Sequence, residues 1–264
     1  RSLRSLIKPP KDHSIVYLDY KSQEVGLAAA LSGDENMKTA YYSGDVYLSF
    51  AQMCGAVPPG ATKESHPMER ALYKSCVLGL SYGMGEYSLA HRIGGTRLQA
   101  HHLIRQHKET FPEYWKWAQS FIDKGMLHNY VRTVFGWTMH VPGADEFGRR
   151  QANDRGLSNF ACQANAAEIL RLACSMLTEA GLKICAPIHD AVLLECRTSE
   201  VDSKVKQAIQ IMESASSIVL DGPVCNVDAD VYSYPNSYSD PDGKLFWDTL
   251  CKLAGPLDRK QASE

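Results

Sequence analysis

The alternation of apolar and polar positions divides this chain into a few strands set among many helices. Residues 13–19, HSIVYLD, are β-branched and apolar and end on an acid, which predicts a strand whose carboxylate lies at a sheet edge. Residues 24–34 have helical apolar spacing and close on Gly33, a glycine C-cap. Residues 44–55 read as a short helix. A Pro/Gly-rich loop at 57–67 precedes a longer helix that covers residues 70–83. Residues 94–125 predict two helices broken at Pro112, and residues 130–142 a hairpin turning at Gly136. Residues 154–181 form one long helix with a single apolar stripe, ended by Gly181. Two apolar runs in 182–196 then meet at His189 and Asp190, a β-hairpin with its acid at the tip. An amphipathic helix follows at 199–215, and the tail from Pro235 reads as loop, one short helix and a polar end. The order predicts an α+β fold, with helices segregated from an antiparallel sheet.

Composition narrows this only a little. At 264 residues the chain can bury a real core, as one large domain or two lobes. No apolar run is long enough to cross a bilayer, and the first residues, RSLRSLIKPP, lack a signal-peptide core. They fit equally the cut edge of a longer protein. The eight cysteines contain no CxxC pair and lie mostly in apolar runs, which favours core thiols in a reducing compartment over metal or disulfides. A net charge of −2 does not announce a nucleic-acid binder, but a local basic track suffices, and Arg149, Arg150 and Arg155 offer one; a solvated charge run is the competing reading. His101, His102 and His107 sit on a polar helix, which favours an exposed face over a metal site.

The segment RALYKSCVLGLSYG, residues 70–83, changes the picture. Read as a helix, it sets Arg70, Lys74, Leu78 and Tyr82 four residues apart along one face. Arg offers a planar fork and Lys a point charge, together a cradle for a polyphosphate, and the tyrosine ring gives that face something flat to meet a base or sugar. Asp19 and Asp190 flank this helix in sequence, each at the end of an apolar run. Paired carboxylates are what Mg²⁺ takes alongside substrate phosphates, and two such ions can activate a hydroxyl and steady a leaving phosphate.

With these residues the chain resembles the polymerase domain of family A DNA polymerases, the DNA polymerase I family including its phage members. The first motif begins at Asp19, DYKSQEVGLAAALSGD; the second is Arg70, Lys74, Leu78, Gly79, Tyr82 and Gly83; the third is His189-Asp190; a fourth is Arg155, Asn159 and Gln163 at four-residue spacing. The likeness runs from Arg1 to about Ser233. It implies an antiparallel palm sheet with a helical fingers subdomain: palm in 1–34, fingers in 35–128, and palm with the catalytic hairpin and tail in 129–264. It further implies that Asp19, Asp190 and the Tyr20 carbonyl hold two Mg²⁺ ions, with Mn²⁺ as an alternative. Arg70 and Lys74 would take the triphosphate of a dNTP, Lys74 also serving as general acid, and Leu78 and Tyr82 would pack near the nascent pair. Glu24 would crowd the 2′ position of the sugar. Arg155, Asn159 and Gln163 would track the primer-template minor groove, with His189 at the primer terminus. The setting it implies is the cytoplasm of a bacterial or phage-infected cell, with no membrane partner.

Several positions depart from the family pattern. Ala191 replaces the usual acid after Asp190, Leu78 replaces an aromatic residue, Gly26 stands where a basic residue is common, and Tyr47 where a His is common. Only residues 1–18 precede the first motif, so a thumb and exonuclease portion are expected elsewhere in a longer protein. Three other readings compete with template-directed DNA synthesis. A single-subunit RNA polymerase shares the acids and the cationic helix, but Glu24 opposes it. A two-metal nuclease leaves Arg70, Lys74 and Tyr82 idle. A weakly catalytic primer-template binding module is consistent with Ala191.

Overall fold

The computed structural model describes residues 2–143 and 154–254, and the chain divides into two compact units. Of the described residues, the first unit takes 2–19, 174–211 and 227–254 and contains a four-stranded sheet. Its strands are β1 (His13–Tyr20), β4 (Lys183–Ile188), β5 (Ala191–Arg197) and β6 (Val227–Ser233), in the order β4-β5-β1-β6. β1 and β5 pair antiparallel from His13↔Arg197 to Asp19↔Ala191, and β4 pairs antiparallel with β5 with a bulge between Ile184 and Ala186. Period two puts Ile15 and Tyr17 on one face of β1, where they pack with Leu193, Tyr232 and Tyr238. The Arg4 guanidinium lies over the Tyr17 and Tyr238 rings at 5.6 and 5.3 Å and pairs with Asp240 at 3.2 Å, fastening the N-terminal 3₁₀ turn Ser2–Leu6. α10 (Lys244–Ala254) closes the described tail.

The second unit, whose described residues are 20–143, 154–173 and 212–226, is mainly helical. It contains α1 (Gln23–Ser32), α2 (Glu35–Tyr42), α3 (Val46–Met53), α4 (Pro67–Ser81), α5 (Glu86–Ile93), α6 (Arg97–Thr110) and α7 (Pro112–His128). The small hairpin of β2 (Tyr130–Arg132) and β3 (Thr138–His140) follows, then the N-terminal part of α8 (Asp154–Glu179). The last turns of α9 (Val201–Leu220) also belong to it. Its core joins Val25, Phe50, Tyr73, Leu80, Leu89 and Phe111, among others, from several helices. Asp34 is 2 % exposed and organises two helix starts at once, accepting from Met37 N of α2 and from Glu113 N and Tyr114 N of α7. Thr96 and Gln99 form a reciprocal capping box on α6.

The α+β expectation holds, as do the break at Pro112, the cap at Gly33 and both hairpins. α2, α5 and β6 go beyond the elements that the pattern predicts. Two expectations are corrected. His107 is buried, not exposed, its ring enclosed by Phe50, Phe111, Tyr114 and Trp115. The cysteines are all free thiols, but only Cys76 and Cys225 are buried, and Cys185 and Cys251 are exposed. Arg149 and Arg150 lie outside the described residues. Among the described residues no helix is long and apolar enough to cross a membrane.

Candidate active site

In the sheet-bearing unit, β1 carries Asp19 next to its end, opposite Ala191, the first residue of β5. Asp190 precedes Ala191 in the two-residue turn joining β4 to β5, so turn and register together bring the two acids to one sheet end. Asp19 Oδ1 is fully buried and has no hydrogen-bond partner. Burial first, then the Asp190 charge, a hydrogen bond with Asp190 and the carboxylates of Asp228 and Asp230 push the Asp19 carboxyl up to about 7. This is the signature of two acids sharing a confined place with too little positive charge. His189, the other turn residue, has φ 56°, a left-handed conformation that two-residue hairpin turns use and that, apart from glycine, Asn, Asp and His adopt most readily. Its side chain is exposed, with Nδ1 3.5 Å from Asp190 Oδ1.

The donor set fits a hard divalent cation: two carboxylates at one sheet end, with one oxygen of Asp19 buried and unpartnered. Among the described residues no third His, Cys, Asp or Glu joins them in a metal-holding cluster. Ala191 is fully buried in the position after Asp190, so that place supplies no ligand.

In the helical unit, α4 buries Tyr73, Cys76, Val77 and Leu80 and leaves Arg70, Lys74 and Leu78 on its outer face. α4 ends at Ser81, and Tyr82 is its C-cap, turning the chain toward Gly83 at φ 69°. The helix stops where Met84 N bonds back to Gly79 O, a left-handed glycine termination one residue after the tyrosine.

Both cations lean on residues that the sequence pattern does not single out as binding groups. Asp45 caps α3 through Tyr47 N and Leu48 N, and its other oxygen takes the Arg70 Nε–H. The Tyr47 ring lies under both, 5.5 Å from Arg70 Cζ and 5.8 Å from Lys74 Nζ. Burial raises the Tyr47 hydroxyl, offset in part by a hydrogen bond with Ser22 and by Arg70. The available signal for Asp45 is its N-cap position ahead of an apolar run. Tyr47 gives none beyond its departure from the family.

Glu24, in the first turn of α1, is the meeting point of two other expected site residues. Its carboxylate accepts from the Tyr82 hydroxyl and, at 2.7 Å, from Gln163 Nε2 of α8. Arg155, exposed on the first turn of α8, packs against Gly83, where an added Cβ would lie 3.0 Å from Arg155 Cγ. Asn159, between Arg155 and Gln163 on α8, is half-buried. The glycine at 26 is explained by close approach: a Cβ there would come within 2.8 Å of the Tyr41 ring, whose hydroxyl donates to Lys21 O and accepts from Asn226 N.

Known proteins agree with this reading of the fold. DNA polymerase I, thermostable, of Thermus thermophilus is 30% identical over 207 residues, which is 75% of this chain and 24% of that protein. DNA polymerase I of Chloroflexus aurantiacus is 28% identical over 222 residues, 81% of this chain and 23% of that protein. The chain thus spans about a quarter of the length of these relatives. Among solved structures, the POL domain of Pol1 from M. smegmatis, in complex with DNA primer-template and dNTP, superposes with a TM-score of 0.73 at 23% identity. That superposition covers 89% of this chain and 42% of that one, and establishes the fold. Residues 1–232 match the DNA polymerase family A model, and the chain belongs to that family.

Proposed function

We propose that this chain performs template-directed DNA synthesis, transferring the nucleotidyl group of a dNTP to a primer 3′-hydroxyl with release of pyrophosphate. The observation that carries the reading is the Asp19–Asp190 pair, with one Asp19 oxygen buried and unpartnered. Asp19, Asp190 and the Tyr20 carbonyl would hold two Mg²⁺ ions, Mn²⁺ being an alternative. When bound, the ions neutralise phosphate charge and acidify the attacking hydroxyl. The remaining work is positioning and electrostatics, as phosphoryl transfer requires.

Arg70 and Lys74 receive the triphosphate, and Lys74 donates a proton to the departing pyrophosphate oxygen. The Asp45 bond and the Tyr47 ring hold these long side chains ready. Glu24 crowds the 2′ position of the sugar, while Leu78 and Tyr82 pack near the nascent base pair. Arg155, Asn159 and Gln163 form a row of donors along the duplex, reading its shape more than its sequence, and His189 meets the primer terminus. In this reading palm spans 1–34 and 129–264 and fingers span 35–128.

Primer extension with deoxynucleotides, with ribonucleotides and without nucleotide tests the proposal. Extension by deoxynucleotides that disappears in Asp190→Ala, with DNA binding retained, is the expected result. Synthesis surviving that substitution refutes the two-metal assignment. The buried Ala191 favours one second reading, a primer-template binding module of weak catalysis; DNA binding without any extension would select it.

A further inference from the structure

We propose that the β2–β3 hairpin is a stacking platform for unpaired DNA, with Phe135 and Trp137 as the rings that receive bases. The loop at 133–137 is held by buried polar side chains of α8. Glu168, 4 % exposed, accepts from Thr133 Oγ1 at 2.7 Å and from Phe135 N at 3.3 Å, so both its oxygens serve the loop. Asn165, 3 % exposed, accepts from Val134 N at 2.9 Å. Trp137 N closes the turn on Thr133 Oγ1 at 2.9 Å. Burying a carboxylate and an amide is unfavourable unless each is satisfied, and here the satisfied groups order the whole loop.

Those residues gain little burial in return. Val134, Phe135 and Trp137 are 52, 53 and 48 % exposed. A loop ordered for stability alone would bury its rings. One held rigid with its rings outward is pre-organised for a ligand that presents flat apolar faces. Trp137 meets Phe160 of α8 edge to face at 5.8 Å, which orients the indole while about half of the residue stays exposed.

Charge selects the ligand. From Met126 to Gly143 the chain carries Arg132, His128 and His140 and no Asp or Glu. The Arg132 guanidinium lies 4.8 Å over the Tyr130 ring and donates to Thr138 Oγ1, so the cation is held on the hairpin beside Tyr130. Rigid exposed aromatics on a hairpin that carries Arg132 suit a single strand; every base has a π face, so binding tolerates sequence. The inference rests on the proposed polymerase activity only for the identity of that strand, the unpaired template.

The test uses the full chain with a fluorescein-labelled oligothymidine strand and a blunt duplex, read by anisotropy and by tryptophan emission. Trp137→Ala and Phe135→Ala are each expected to weaken single-strand binding roughly ten-fold and to leave duplex binding unchanged. Trp137→Phe keeps a ring, so it is expected to retain binding and lose the emission quench that the strand causes in the wild type. This variant preserves the test should either alanine substitution unfold the hairpin. Unchanged single-strand affinity in folded alanine variants overturns the proposal. So does absence of single-strand binding by the wild type, or a quench that survives Trp137→Phe. Should the wild type bind the strand through Trp137 yet fail to extend a primer, the polymerase reading falls and the stacking site stands.

Discussion

Acid is expected to destabilise the helical unit through His107. The ring is 2 % exposed, and its Nδ1 accepts from Trp115 Nε1 at 3.0 Å, so that nitrogen carries no proton in the folded state. Protonation would set an N–H against the Trp115 N–H and place a charge among aromatic rings. Burial accordingly lowers the ring from 6.5 to about 3. Between these values the unfolded chain binds a proton that the folded chain refuses. The associated stability is full above about pH 6.5 and is lost as pH falls, with a slope approaching ~1.4 kcal/mol per pH unit. By pH 5 the loss reaches about 2 kcal/mol, a large part of a typical domain's 5–15 kcal/mol. Urea unfolding followed by circular dichroism at pH 8, 6 and 5 measures it against His107→Gln, whose amide oxygen can still accept from Trp115 but does not titrate. The stability difference between wild type and variant should shrink by about 2 kcal/mol from pH 8 to pH 5. A difference independent of pH would refute the buried neutral imidazole.

Three further outcomes are expected. Glu24→Ala removes the shared acceptor of Tyr82 and Gln163, so it should lower stability by roughly 1–2 kcal/mol and raise ribonucleotide incorporation; unchanged sugar selectivity removes Glu24 from that role. Gly83→Ala forces a side chain into a left-handed position against Arg155 and should cost about 1–2 kcal/mol, with weaker duplex binding read in the same preparation. Ala191→Glu puts an acid in a fully buried place opposite Asp19; without divalent ion it should lose about 1–3 kcal/mol, and Mg²⁺ should raise its melting temperature more than that of the wild type.

Local chemistry is legible in the sequence where one residue decides the backbone. Gly33, Gly136, Pro112 and the His189-Asp190 turn each mark their element boundary correctly. What escapes depends on partners distant in sequence. β6, VDADVYS, alternates toward solvent on Asp228 and Asp230 and so lacks the apolar run that identifies β1. His107 reads as exposed because α6 is polar on average, yet its neighbours Ala100 and Leu103 mark the stripe that turns inward. The convergence of Tyr82 and Gln163 on Glu24 joins positions 58 and 139 residues apart, and no local pattern encodes it. Glu168 and Asn165 leave a faint signal, a carboxylate and an amide three residues apart on the apolar stripe of α8, where only satisfied polar groups persist.

The ladder between β1 and β5 also sets a rule about chain length. Seven consecutive pairs run from His13↔Arg197 to Asp19↔Ala191, and successive residues alternate between faces. Losing one codon anywhere in residues 14–18 would keep every side chain type near its place, yet would present Asp19 to the opposite face of the sheet. Such a deletion is as damaging as replacing the aspartate itself. The stretch is therefore a counted distance, tolerant of apolar exchange and intolerant of any change in number.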